Sequence, residues 1–359
     1  MLQSHVENTT TAKRVPLRDG DERANVSMIK NQHFNPKLYL RRWANEREQI
    51  WYFDKVTRES RLSNIKNVAS SSYFYDFDPE VQKIIKDKLA TVPDSQLPAG
   101  AKAQMLGPQV VEHDLNKMET GFAKELDGLL AAIDTRGRIT GEQQARMSYY
   151  LAKQLIRGPE FRQQHIEAAE KVANPLMQQL VAAKFGPDQV DSVRLEFNSR
   201  FASWGHFNLL YDSEFIGNIA KILFFHVWRI GVAPKGTLLY TSDNPITRHS
   251  HLGEPFHGIG SRGIEIMFPL SPRHMLFMWD RTYFPQLASR HLTAWTLEVE
   301  KVAFCNSYQV LQSFRQVYSL VSDFERAVNL CAEYPQICDP DRKRITILRR
   351  TQTQARRRE

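Results

Sequence analysis

Residues 238–247 read LLYTSDNPIT. A short apolar run climbs to Tyr240 and then stops on Ser242, Asp243, Asn244 and Pro245, each of which works against a continuing strand. Two readings are open. In one, polar side chains held just beyond a buried strand converge on a ligand: Asp243 as base or metal ligand, Asn244 as hydrogen-bond donor to an oxyanion, and Ser242 as nucleophile or positioning hydroxyl. In the other, the Ser and Asx side chains bond backbone groups two residues on, and proline fixes the next φ, so that the stretch is a self-satisfying turn. The sequence leaves both standing.

Working outward, two more β-like runs follow, IEIMFPLS at 264–271 and HMLFMWD at 274–280, with PLSPRH reading as a tight hairpin between them. Before the stretch the chain is helical. Asp78, Pro79 and Glu80 form a helix start, and 107–133 repeats apolar residues in steps of four and three. Thr140 caps a helix that ends at Gly158-Pro159. The next, 160–186, carries Pro175, which predicts a kink or a split. FNLLYDSEFIGNIAKILFFHVWRIG (207–231) is apolar on nearly every side and reads as the centre of the core. Near the start, KLYLRRWA predicts a short helix and QIWYFDKVTRES a strand and turn. Near the end, 299–319 and 323–331 predict helices. The expected fold class is α+β: a helix-dominated single domain over 29–338 with a small antiparallel sheet and an N-terminal β-hairpin. Residues 1–28 are expected to be disordered, and 339–359 to form a basic C-terminal tail.

Charge is unevenly placed. Of the net +8, residues 339–359 hold +5, with eight Lys/Arg against three acidic residues; 1–30 hold +1 and the body only +2. A nearly neutral body with a basic end differs from a basic domain. The end RRTQTQARRRE adds salt-sensitive attraction to a polyanion, or is simply a solvated terminus. The longest apolar stretch, 219–228, is too short to span a bilayer, and the opening residues lack the apolar run of a secretory signal. Three cysteines and no CxxC pair point to a reducing, cytoplasmic setting. No phosphate loop, Gly-x-Ser-x-Gly elbow, HExxH or dinucleotide fingerprint occurs, which disfavours the enzyme classes built on them.

Several segments together resemble a bacterial family, the one grouped as domain of unknown function 4238. They are NQHFNPKLYLRRWA with IWYFDK, VASSSYFY, LAKQLIRGPEFR, YTSDNPI, IMFPLSPRHML and CNSYQVLQSFRQVYS, an ordered set running from about Asn31 to Tyr318. Asn35 departs from the small aliphatic residue common at that place in the family. The resemblance implies a shared fold and a shared polar site. It implies no established activity.

The remaining candidates each carry two readings. His33 pairs with Asp243 across the fold as acid or base or as a second metal ligand, or is a hydrogen-bonded structural residue. Gln154 and Arg157 share a helix face, and the break at Gly158-Pro159 aims Arg157 and Arg162 at one phosphate or carboxylate, or leaves them as a helix cap and a surface ion pair. His249, His251 and His257 have a spacing that suits a metal on a loop, or are a chance cluster in a glycine-containing loop, and the resemblance does not support the metal. Asn306 and Gln309 complete a polar pocket or tie helix to sheet. With Arg41 added as a further anion contact, the leading reading is a site for a phosphorylated or nucleotide-like ligand, in a hydrolase or nuclease-like effector. The alternative is an interaction or nucleic-acid-binding module acting through its basic tail. Cofactor and metal are left undefined.

Overall fold

The computed structural model describes residues 29–93, 95, 102, 109–192, 202–253 and 258–345; the expectations for 1–28, for His257 and for 346–359 lie outside the described residues. In chain order the strands are β1 (Asn31–His33), β2 (Gln49–Asp54), β3 (Glu59–Asn64), β4 (Ser70–Ser72), β5 (Val227–Val232), β6 (Thr241–Ser242), β7 (Thr247–Ser250), β8 (Ile264–Ser271), β9 (His274–Trp279), β10 (Thr293–Thr296) and β11 (Gln316–Ser319). The helices are α1 (Lys37–Leu40), α2 (Pro79–Thr91), α3 (Val110–Arg136), α4 (Gly141–Arg157), α5 (Pro159–Phe185), α6 (Ala202–Tyr211), α7 (Ser213–Phe225), α8 (Val299–Gln312) and α9 (Glu325–Glu333). The α+β class holds.

Local signals set most boundaries. Asp78 accepts the Glu80 backbone N–H at the start of α2, with Pro79 in the first turn. Thr140 and Gln143 form a reciprocal capping box on α4. On α3 Val111, Leu115, Phe122, Leu126, Leu129 and Ile133 are buried with Met118 half-buried, and the helix ends on Gly137 at φ 64°, a left-handed cap that glycine adopts without strain. α5 runs unbroken through Pro175 rather than splitting there.

The strands depart furthest from the expectation of one small sheet. β10-β5-β9-β8-β7 form a five-stranded sheet, antiparallel except for the parallel β10–β5 pair. A second sheet has the order β3-β2-β11-β6, so the N-terminal hairpin (49–64) is continued by strands from 241–242 and 316–319. Two segments read as helix are strand. HVWRIG supplies β5, where all-round burial in a sheet gives the same continuous apolar run as a buried helix. QVYS supplies β11, where it fills the space between β2 and β6. Gly231 of β5 lies under Leu297 and Phe277, and a Cβ there would collide with both. The main core runs from Phe34 to Tyr318 and includes Tyr39, Trp43, Leu151, Leu223, Phe268 and Leu276, each buried side chain contributing roughly 1.5–3 kcal/mol. Among the described residues no helix is long and apolar enough to cross a membrane.

Candidate functional site

The strand of the opening stretch is only β6, two residues long, and Asp243 immediately follows it. The Asp243 carboxylate is buried and accepts three backbone N–H bonds, Oδ1 from Phe314 and Oδ2 from Arg315 and Gln316, each at 2.7 Å. Those amides belong to the bend between α8 and β11. The same bend is held from its carbonyl side by Lys55, a fully buried ammonium that donates to Val310 O at 3.1 Å and Ser313 O at 2.7 Å. A cation there meets the last carbonyls of α8, where the helix dipole favours it. Burial pushes Asp243 up to about 6 against the pull of the three amides and of Lys55, and burial lowers Lys55 to about 8. Three N–H donors on the carboxylate and two carbonyls on the ammonium match the ionised forms, one on each face of the bend.

The neighbouring polar residues are joined in one chain of bonds. Ser242 Oγ donates to Gln309 Oε1 at 2.8 Å, and Gln309 Nε2 donates to Pro245 O at 2.9 Å. Asn35 Nδ2 donates to Ser242 O at 2.7 Å, and Gln154 Nε2 donates to Asn35 Oδ1 and Phe34 O. Asn306 accepts the Tyr240 N–H and donates to Leu238 O, tying α8 to the run before β6. Asn35, the departure from the family pattern, is thus the link between β1 and β6.

His33 is buried. Its Nε2 lies 3.3 Å from Ile65 O, its Nδ1 has no partner, and burial lowers its pKa to about 4. Arg157, fully buried, donates from Nη2 to His33 O at 2.6 Å and to Glu119 Oε1 at 2.9 Å. Arg162 turns elsewhere: its Nε donates to His206 Nδ1 at 2.9 Å and its guanidinium stacks 3.6 Å over the Phe74 ring. The two guanidiniums therefore serve separate partners instead of one anion. Arg41 pairs with Glu48 at the rim of an outer cleft of about 400 Å³ that Lys37, Lys66 and Glu119 also line. Asn306 borders another, of about 500 Å³. His249 bonds Tyr308 Oη at 2.5 Å while His251 bonds Glu265 at 2.7 Å, and among the described residues no group of three His, Cys, Asp or Glu is placed to hold a metal.

Asn244 alone of the Ser-Asp-Asn set reaches an open space. It lines a cleft of about 750 Å³ between α5, β7, α8 and the segment 342–345. Arg248, Arg342, Lys343 and Arg344 line it too, with Glu160 as the one carboxylate among the described residues of the lining. Gln312 fixes the wall: it exchanges both amide bonds with the Arg248 backbone, and its own carbonyl accepts from Asn244 Nδ2 at 2.8 Å. Burial lowers the Arg248 pKa, with Glu160 acting against it.

The start of the basic tail is part of this wall. Arg342 donates to Ser313 O and Phe314 O and, at 2.9 Å, to Glu160; Arg344 donates to Glu160 at 3.0 Å and sits 3.6 Å from Glu167. The Arg344 side chain is 2% exposed. Sequence reasoning missed Lys55, Arg248 and Glu160 as partners of this region. Nothing local marks them, because the contacts that define them span 64 to 258 residues.

A family model described as a protein of unknown function, DUF4238, matches residues 31–323. No curated protein and no solved structure matches the chain. The match covers most of the sequence, and takes in β1, the caged bend and β7: the chain belongs to the DUF4238 family.

Proposed function

We propose that this protein binds a phosphorylated or nucleotide-like anion in the cleft between α5, β7, α8 and residues 342–345. The observation that carries this reading is the lining: around about 750 Å³ stand four cationic side chains, the Asn244 and Gln312 residues and, among the described residues, a single carboxylate, Glu160, which Arg342 and Arg344 share. Guanidiniums in a partly dehydrated wall gain most from an anion, because the low local dielectric strengthens each charge-assisted bond. A small-ligand site of this size fits a nucleotide or sugar phosphate. In this reading Ser242, Asp243, His33, Gln154 and Arg157 are the framework that fixes the cleft, and Asn244 is the one member of the set to touch the ligand. Docking of Arg342 and Arg344 in the wall favours the cleft over a module that works through a free tail. Buried free thiols at Cys305 and Cys331 are in keeping with a reducing, cytoplasmic setting.

The test is calorimetric titration with inorganic pyrophosphate at two salt concentrations. The wild type should bind at one site per chain and weaken as salt rises. Lys343→Gln should weaken binding about tenfold, the loss of one charged contact at ~1.4 kcal/mol. Binding that is absent in the wild type, or indifferent to Lys343→Gln and Arg248→Gln alike, ends this reading.

A further inference from the structure

The walls of the cleft differ between its two ends. β7 is the edge strand of its sheet, and Gln312 of α8 bonds the backbone of Arg248 on that strand. Tyr308, Leu311 and Gln312 all line the cleft, and their spacing of three and four residues puts them on one face of α8. The charges gather at the C-terminal end of that face: Gln312 holds Arg248 and Asn244, and Arg342 is anchored on the Ser313 and Phe314 carbonyls. One turn back, about 6 Å along the helix axis, the lining turns aromatic. Tyr308 Oη lies 2.5 Å from His249 Nδ1, and the two rings are 5.3 Å apart. Both residues line the cleft and both are half-buried, with buried Ile264 and half-buried Leu311 beside them in the lining. This end suits a flat ring better than a sugar. Sugar hydroxyls are held through carboxylates and amides. Here Glu160, the one carboxylate among the described lining residues, is shared by Arg342 and Arg344, and the Gln312 amide is taken up by the Arg248 backbone. An aromatic and aliphatic wall, by contrast, stacks on any base, because every base has a π-face.

We infer that the ligand of this cleft is a free nucleoside 5′-phosphate, with its phosphate at the cationic end and its base against Tyr308; this deepens the anion-binding reading above and rests on it. Arg248 and Lys343 take the phosphate oxygens. The base packs on Tyr308 between Ile264 and Leu311, and the ribose spans the single turn of α8 that separates the two ends. A cleft of about 750 Å³ accommodates one nucleotide. The cationic end would hold any phosphate. Tyr308 is the residue that makes the site prefer a nucleotide, and His249 positions it through the bond to its phenol oxygen.

AMP and ribose 5-phosphate share a phosphate ester and differ by the base. Both are titrated calorimetrically into the wild type, Tyr308→Phe and Tyr308→Ala, with inorganic pyrophosphate as the probe of the cationic end. The wild type should bind AMP about tenfold or more tighter than ribose 5-phosphate. Tyr308→Ala should bring that ratio to about one, whereas Tyr308→Phe, which keeps the ring and loses the bond to His249, should keep most of it. If Tyr308→Ala fails to fold, Tyr308→Leu, which fills the space without an aromatic face, takes its place with the same expected ratio. Wild-type protein that binds pyrophosphate, and binds ribose 5-phosphate as tightly as AMP, overturns the nucleotide and leaves the anion-binding reading intact. A Tyr308→Ala or Tyr308→Leu variant with the wild-type ratio overturns the role of Tyr308 in the same way. A 5′-phosphorylated triadenylate should bind no more tightly than AMP; tighter binding overturns the free nucleotide in favour of the end of a strand. Absence of binding for all four ligands removes the two readings together.

Discussion

The two halves of Ser242–Pro245 face different worlds. On one side Ser242 and Asp243 are sealed, and all their bonds end on the protein itself: Gln309, the Asn35 amide and the amides of residues 314–316. On the other, one residue later, Asn244 borders a cleft with four cationic side chains and, among the described residues, a single carboxylate. Neighbouring polar residues thus face opposite surroundings one peptide apart. Composition alone does not separate them; what separates them is whether the side chain is sealed among its partners or keeps one side on an open cleft. The caged bend is also what makes the cleft possible. Arg342 is anchored on the same Ser313 carbonyl that Lys55 holds, so the sealed side sets the wall of the open one.

The contrast is broken most easily at Asp243. Asp243→Asn turns an acceptor into a donor against backbone N–H groups, and should cost roughly 3–5 kcal/mol of folding stability in urea denaturation. A variant as stable as wild type would mean that the bend is not held by this carboxylate. Next in size is Arg157→Met, which strands Glu119 in the core; about 3 kcal/mol is expected. Adding Glu119→Gln should restore part of that loss. If the double variant is no better than the single, the pair does not act as one unit.

Acid should reach the sealed side first. His206 accepts from Arg162 Nε at Nδ1 and lies 2.5 Å from Ile156 O at Nε2, an arrangement only the neutral ring satisfies. Burial and then Arg162 lower its pKa to about 3, and burial and Lys37 lower that of His33 to about 4. Between those values and the ordinary 6.5 the unfolded chain binds more protons than the folded one, so stability present above pH 6.5 is lost as pH falls towards 4. Glu112 and Asp243, raised by burial to about 7 and about 6, work the other way and offset these two between pH 7 and 5; His291, whose Nδ1 accepts the Trp228 N–H and which burial lowers to about 4, tips the balance to the histidines. Urea midpoints at pH 7, 6 and 5 should therefore decline in order, and His206→Gln should flatten the slope. A midpoint that climbs towards pH 5 would give the carboxyls the upper hand. The smallest effect on stability belongs to the open side. Lys343→Gln should leave the urea midpoint within about 0.5 kcal/mol of wild type while anion binding weakens. If it destabilises the fold by several times that, the cleft is as structural as the bend.

The legible parts of the fold were those written in short range. Asp78 and Thr140 announce their helices because a cap is a bond between residues two or three apart. The apolar stripe of α3 is equally local. The strands β5 and β11 escaped, since continuous burial gives HVWRIG the pattern of a core helix, and QVYS follows directly on a helical run. For the site, residue types were legible but roles were not. Asp243 stood out as a carboxylate beyond a strand, and its partners lie more than 70 residues further along the chain. His251 was noticed for a metal-like spacing, whereas its actual partner is Glu265 across the β7–β8 pair.

By itself the sequence determined the family, the α+β class, most helix ends and the stretch at which polarity intrudes on a strand. These rest on local bonds and on periodicity, which act over a few residues. Only the tertiary structure decided which of those polar groups are consumed by the chain and which face an open cleft. That distinction depends on desolvation and on partners brought from 73 to 261 residues away, and neither quantity exists until the chain has folded.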